Sequence, residues 1–135
     1  MSEIAELRVS LTSRDFDAAV ALYRDALGLP VVLDWDGPNG AGVVLSAGRA
    51  TLEILDEQHA AYVDELERAR KPSGPVRLAM ETSSAEDTGG RLTGLADVGP
   101  PVDTPWGDRS VRVRAPEGPQ LTLFTPSGKE DPWAK

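Results

Sequence analysis

Leu7-Arg8-Val9-Ser10-Leu11-Thr12, followed at once by Ser13-Arg14-Asp15-Phe16-Asp17-Ala18-Ala19-Val20-Ala21-Leu22-Tyr23, changes its hydrophobic period part-way. Leu7, Val9 and Leu11 alternate with Arg8, Ser10 and Thr12, the two-residue period of a strand with one apolar face. Phe16, Val20, Tyr23 and Leu27 then recur at helical spacing among alanines, which are strong helix formers. Ser13 or Asp15 suits an N-cap and Gly28 a helix stop, so the stretch reads as a strand running into a helix.

Downstream, Pro30 to Trp35 is rich in β-forming residues and is cut by Asp36-Gly37-Pro38-Asn39-Gly40, a run of turn formers. Val43-Val44-Leu45 supplies a return strand, Ala47-Gly48-Arg49 a turn, and Thr51 to Leu55 a fourth strand. Asp56 to Arg70 is polar, with Tyr62, Val63 and Leu66 as sparse apolar positions, and predicts a short exposed helix carrying His59 on its surface. It ends before the breaker cluster Lys71-Pro72-Ser73-Gly74-Pro75.

A second cycle follows. Val76, Leu78 and Met80 alternate with Arg77, Ala79 and Glu81, as Leu7, Val9 and Leu11 do with their neighbours. Ser83 to Leu95 fills the helix slot, weakened by Gly89, Gly90 and Gly94. Val102 to Thr104, Arg109 to Arg114 and Gln120 to Phe124 supply three more strands. The repeated order is an internal duplication of a supersecondary unit. The expected fold is α+β: two βαβββ modules whose curled sheets surround a cleft, with the helices outside. Within one domain over residues 1–135, the first module spans 5–57, a linker helix and loop 58–74, the second module 75–126 and a tail 127–135.

The composition narrows the function. The chain has 135 residues, of which 40% are hydrophobic and 27% charged, enough for one folded core. Fourteen Lys and Arg against 22 Asp and Glu leave a charge of −8, which opposes binding to nucleic acid and to anionic membranes. The opening Met1-Ser2-Glu3-Ile4-Ala5-Glu6 lacks the basic-then-apolar pattern of an export signal, so the expected location is the cytoplasm. Without cysteine, thiolate catalysis and cysteine-based zinc sites are excluded, and His59 is the single histidine.

The sequence from Leu11 to Tyr23 with Leu27-Gly28-Leu29, together with Thr51-Leu52-Glu53-Ile54-Leu55, Pro105-Trp106-Gly107 and Pro116-Glu117-Gly118, resembles the vicinal oxygen chelate superfamily. That superfamily includes glyoxalase I, extradiol dioxygenases, and the bleomycin and fosfomycin resistance proteins. Its metal-dependent members take one ligand from the first and fourth strands of each half. By this resemblance those positions fall on Arg8, Glu53, Arg77 and Thr122, of which Glu53 alone suits a cation. A guanidinium offers no lone pair and repels a metal ion. The family's Asp-Pro-Asp-Gly-Asn turn also departs, to Ala115-Pro116-Glu117-Gly118-Pro119. The resemblance therefore points to metal-free, bleomycin-resistance-like members, with no cofactor, and implies a homodimer that sequesters a small molecule such as an antibiotic or metabolite.

Strand parity groups Arg8 with Ser10, and Arg77 with Glu81, on the face that holds Glu53 and Thr122. The two arginines either fork onto a ligand's carboxylate, phosphate or carbonyl, or pair with Glu53 and Glu81 and fill a vacated metal site. Trp35 and Trp106 are candidate stacking residues against a flat ligand, with ordinary packing or a dimer contact as the alternative; Trp133 lies in the tail. The candidate ligand-binding set is thus Arg8, Ser10, Trp35, Glu53, Arg77, Glu81, Trp106 and Thr122. A lyase, isomerase or dioxygenase-like enzyme using Glu53 as base or metal ligand is the alternative to a binding protein.

Overall fold

A computed structural model describes residues 4–69, 74–114 and 119–126. The Lys71-Pro72-Ser73 part of the breaker cluster, the Pro116-Glu117-Gly118 turn and the tail with Trp133 lie outside the described residues. The first half consists of β1 (Ile4–Ser13), α1 (Phe16–Val20), β2 (Val31–Gly37), β3 (Gly40–Ala47) and β4 (Ala50–Asp56). After α2 (Glu57–Leu66), the second half repeats it with β5 (Val76–Thr82), α3 (Ala85–Arg91), β6 (Asp97–Asp103), β7 (Asp108–Arg114) and β8 (Gln120–Pro126).

The strands form one eight-stranded sheet in the order β2-β3-β4-β1-β5-β8-β7-β6. Read outward from its middle, each half has the same order: first strand, fourth, third, second. β1 runs parallel to β4, and β5 parallel to β8, as a first-to-fourth strand return with a helical crossover requires. The halves join within the chain through the antiparallel pair β1·β5, where Arg8 faces Ala79 and Ser10 faces Arg77.

Alternation along each strand separates the two faces of the sheet. On the helix side, Val43, Leu45 and Ile54 join Val20 in one buried cluster, against which Phe16 and Tyr23 pack. Val111, Val113 and Leu123 join Ala85 in its counterpart in the second half. The intervening residues of the same strands face the opposite side, which curls into the cleft.

Helix ends follow local chemistry. The Asp15 side chain accepts from the Ala18 amide at 3.0 Å and caps α1, while Ser84 caps α3. Beyond Val20 the first helix widens into π-helical turns over Ala21–Ala26 and stops at Gly28, whose φ is 73°. The glycine-rich α3 has a packing reason: a Cβ at Gly89 would come within 3.1 Å of Val111 Cγ1, so the missing side chain lets the helix approach β7.

The expectation of an exposed, merely connecting helix is corrected. In α2, His59 and Ala60 are buried, and Glu67, just past its end, is 6% exposed. Asp56 anchors the helix, its Oδ1 accepting from the His59 amide and its Oδ2 from the Ala41 amide, both at 2.8 Å. His59, Val63 and Glu67, four residues apart, turn one stripe toward the sheet.

Candidate functional site

Arg8 on β1, Glu53 on β4, Arg77 on β5 and Thr122 on β8 project from the four central strands into a cleft of about 260 Å³. Ser10 and Glu81 share that face, and Trp35 and Trp106 stand in its wall. The structure thus places all eight residues singled out from the sequence along one cavity. It also brings in residues that sequence reasoning passed over: His59, Val63 and Glu67 from α2, and Glu6, Phe124 and Asp108 from the strands.

The two arginines of the cleft meet different partners. Arg8 donates from Nε to Glu6 at 3.1 Å, and its Nη1 stands 3.6 Å from Glu53 Oε2. Its Cζ lies 5.7 Å from the centre of the Phe124 ring. Burial opposes its charge, but Glu53, Glu6 and Asp108 more than offset this and push its pKa above the ordinary arginine value. Glu53 is fixed in turn by Ser10, whose hydroxyl donates to Oε1 at 2.5 Å.

Arg77 pairs with neither Glu53 nor Glu81. Its ion-pair partner is Asp64 of α2, at 3.2 Å from Nη1. The same carboxylate oxygen accepts from Arg112 Nη2 at 2.8 Å, and Arg112 Nη2 also donates to Glu67 Oε1 at 2.8 Å. Thr122 donates to Glu67 at 3.2 Å. Burial pushes the Glu67 carboxyl above its usual range, although Arg112, Arg77 and Thr122 pull it down. Asp64, Glu67, Arg77 and Arg112 are thus two acids and two bases holding one another under α2. A pattern search treats isolated Asp and Glu on a polar helix as solvated, so this cluster left no mark; the spacing of His59, Val63 and Glu67 on one helix face is the signal that exists.

The reading of His59 as a surface histidine is also corrected. The residue is 5% exposed, because the α2 stripe turns it under Trp35 and Trp106. Its ring centre lies 5.1 Å from that of Trp35, 5.8 Å from Tyr62 and 6.2 Å from Trp106. Burial lowers its pKa despite the Asn39 carbonyl and nearby carboxylates, so the neutral ring is favoured. Nδ1 then accepts from the Trp35 indole N–H at 3.3 Å; in the protonated ring it would donate to the Asn39 carbonyl at 3.1 Å instead. Trp35 is seated over Gly42, its cross-strand partner, where a Cβ would collide with the indole.

A model of the Glyoxalase/Bleomycin resistance protein/Dioxygenase superfamily matches residues 7–123, most of the chain. The chain belongs to that superfamily. Among solved structures, a superfamily member from Vibrio splendidus 12B01 matches with a TM-score of 0.63 at 13% identity, covering 89% of this chain and 97% of that one. Methylmalonyl-CoA epimerase from Mycobacterium tuberculosis matches at 0.66 and 18%, covering 93% and 91%. A variant of the Streptomyces coelicolor methylmalonyl-CoA epimerase, in complex with 2-nitronate-propionyl-CoA, matches at 0.67 and 19%, covering 97% and 100%. At such identities the likeness is one of fold. No curated protein matches in sequence. No described helix is long and apolar enough to cross a membrane.

Metal-dependent superfamily members would require a ligand set at Arg8, Glu53, Arg77 and Thr122. These side chains do not fit one: a carboxylate already engaged by Ser10 and Arg8, a hydroxyl donating to Glu67, and two guanidinium groups. Among the described residues no three His, Asp or Glu side chains gather in a way that could hold a metal ion.

Proposed function

We propose that this superfamily member is a metal-independent binding protein that takes a small organic molecule into the cleft between its two halves and sequesters it, in the manner of an antibiotic- or metabolite-binding protein. The observation that carries this reading is the chemistry at the centre of the cleft, where guanidinium groups stand at two of the four positions that metal-dependent relatives would use. What surrounds them suits an organic guest. Trp35, Trp106, Leu33 and Phe124 give apolar and aromatic wall, and Ser10 and Glu53 give polar fixtures.

A thermal-shift screen against divalent metals, antibiotics, and aromatic or acyl metabolites tests this. A ligand that binds only the native state raises the melting temperature by mass action. The expected result is stabilisation by an organic compound, unchanged by a chelator. Stoichiometric divalent metal in the purified protein, with stabilisation by that metal, would overturn the reading.

The second reading is an isomerase or lyase with Glu53 as general base, favoured by the carboxylate's position in the cleft and by the fold's likeness to epimerases described with acyl-CoA ligands. Glu53→Gln separates the two. Retained binding with turnover abolished assigns the enzyme, whereas absence of turnover in the wild-type protein with every bound compound assigns the binding protein.

We take the working unit to be a cytoplasmic homodimer, because β2 and β6 end the sheet with only one neighbour each among the described residues and β2 carries the exposed Val32. Sedimentation at micromolar concentration checks this. A monomer would refute it.

A further inference from the structure

We propose that the ligand is dipolar, with a carboxylate seated on Arg77 at the α2 end of the cleft and a cationic nitrogen lying at the Glu6 and Glu81 end. This names the ligand class of the cleft and rests on the binding reading above.

The first observation is Arg77 itself. Only 5% of the residue is exposed, and it lines the cavity, yet its Nε and Nη1 are buried with no hydrogen-bond partner among the described residues. Its ion pair to Asp64 lies outside hydrogen-bonding geometry. A buried donor left unmade costs as much as a lost hydrogen bond, and a guanidinium concentrates several such donors in one plane. Neither Asp64 nor Glu67 meets this demand at Nε or Nη1, and both accept hydrogen bonds from Arg112. With Arg77 and Arg112 opposite Asp64 and Glu67, the cluster is balanced in charge but not in hydrogen bonds. A planar carboxylate supplies acceptors that fit such donors.

The second observation is the polarity of the cleft. Arg77 and Glu81 are four residues apart on β5 and face the same side, which separates their backbones by about 13 Å. Ser10 pairs with Arg77 and Glu6 with Glu81, so the two ends lie across the same strands, with Arg8 between. At the far end Glu6 and Glu81 are register partners on β1 and β5, and the Glu81 side chain has no hydrogen bond or ion pair among the described residues. Arg8 divides its charge between Glu6 and Glu53, which lies in the Ser10 and Arg77 row. Two carboxylates against one shared guanidinium leave that end acidic. The Phe124 ring, the register partner of Glu81 and already faced by Arg8, adds a face that attracts a cation. The carboxylates and the arginine of the cleft therefore address opposite ends of one molecule.

Small probes test the two ends separately in the full chain. Benzoate is expected to raise the melting temperature at millimolar concentration, with benzamide at least about tenfold weaker. Arg77→Gln and Arg77→Lys should both lose this discrimination. At the other end, 4-(2-aminoethyl)benzoate should bind more tightly than 4-ethylbenzoate, and Glu81→Gln should remove the difference. Because the wild-type comparisons need no substitution, a variant that fails to fold leaves the test intact. Equal stabilisation by benzoate and benzamide would overturn the carboxylate seat while leaving a metal-free binding cleft standing. Equal binding of the two 4-substituted benzoates would overturn the cationic end. Stabilisation by neither benzoate nor benzamide overturns the inference, and a metal response alongside it would remove the binding reading as well.

Discussion

Arg8 and Arg77 stand at matching places in a duplicated architecture, each the second residue of an alternating Leu-Arg-Val or Val-Arg-Leu run on the first strand of its half. Yet the side chain of Arg8 is 22% exposed and is answered from its own half, by Glu6 and Glu53. That of Arg77 is 6% exposed and is answered by Asp64, from the helix that joins the halves. The difference teaches that a repeat fixes where a side chain points, while the insertion between repeats decides what it meets.

The buried cluster under α2 offers the hardest way to break this comparison. Arg112→Ala should cost about 3–5 kcal/mol, because Asp64 and Glu67 would be left buried without the guanidinium that bridges them. Chemical denaturation measures it, and a cost under about 1 kcal/mol would mean that water satisfies the pair. Next in size is the matched pair Asp64→Asn and Glu6→Gln. The first should cost about 2–3 kcal/mol and the second under about 1 kcal/mol, since Arg8 keeps Glu53 whereas Arg77 loses its ion-pair partner. Equal costs would erase the distinction between the halves. Gly42→Val should cost about 1–3 kcal/mol by driving the Trp35 ring off its seat, with a shift in tryptophan emission as the second readout.

The smallest expected effect is on pH dependence. The His59 pKa is lower in the folded chain than the ordinary imidazole value near 6.5, so the folded state binds fewer protons than the unfolded one between the two values. Its contribution to stability is full above about pH 6.5 and is lost as pH falls through the lower folded value. Melting curves of the wild type and His59→Gln should converge on acidification, as the neutral amide has no such proton to take up. A constant difference between them across that range would show that the imidazole stays protonated or exposed.

Much of the cleft was legible in advance because a strand has only two faces. Once Leu7, Val9 and Leu11 are given one face of β1, Arg8 and Ser10 must take the other, and the same argument carries Arg77, Glu81, Glu53 and Thr122 to that side, although Leu7 itself is exposed rather than in the core. The register of β1 against β5 then lines these residues up across the strands. Helix α2 was not legible in this way. Its sparse apolar positions match a solvated helix, and a histidine with three acids nearby reads as surface until something basic is set against it. The basic partner, Arg112, lies 45 residues after Glu67, on a strand whose own pattern shows only alternation.

Local sequence determined the strands, the helices, their caps and the division of side chains between core and cleft, since these follow from backbone periodicity and short-range hydrogen bonding. Tertiary structure alone decided which charges are paired, that His59 lies beneath two tryptophans, and that Arg77 lines the cavity while two of its buried donors have no partner among the described residues. The reason is that burying a charge is favourable or costly according to its neighbours, and those neighbours come from distant parts of the chain.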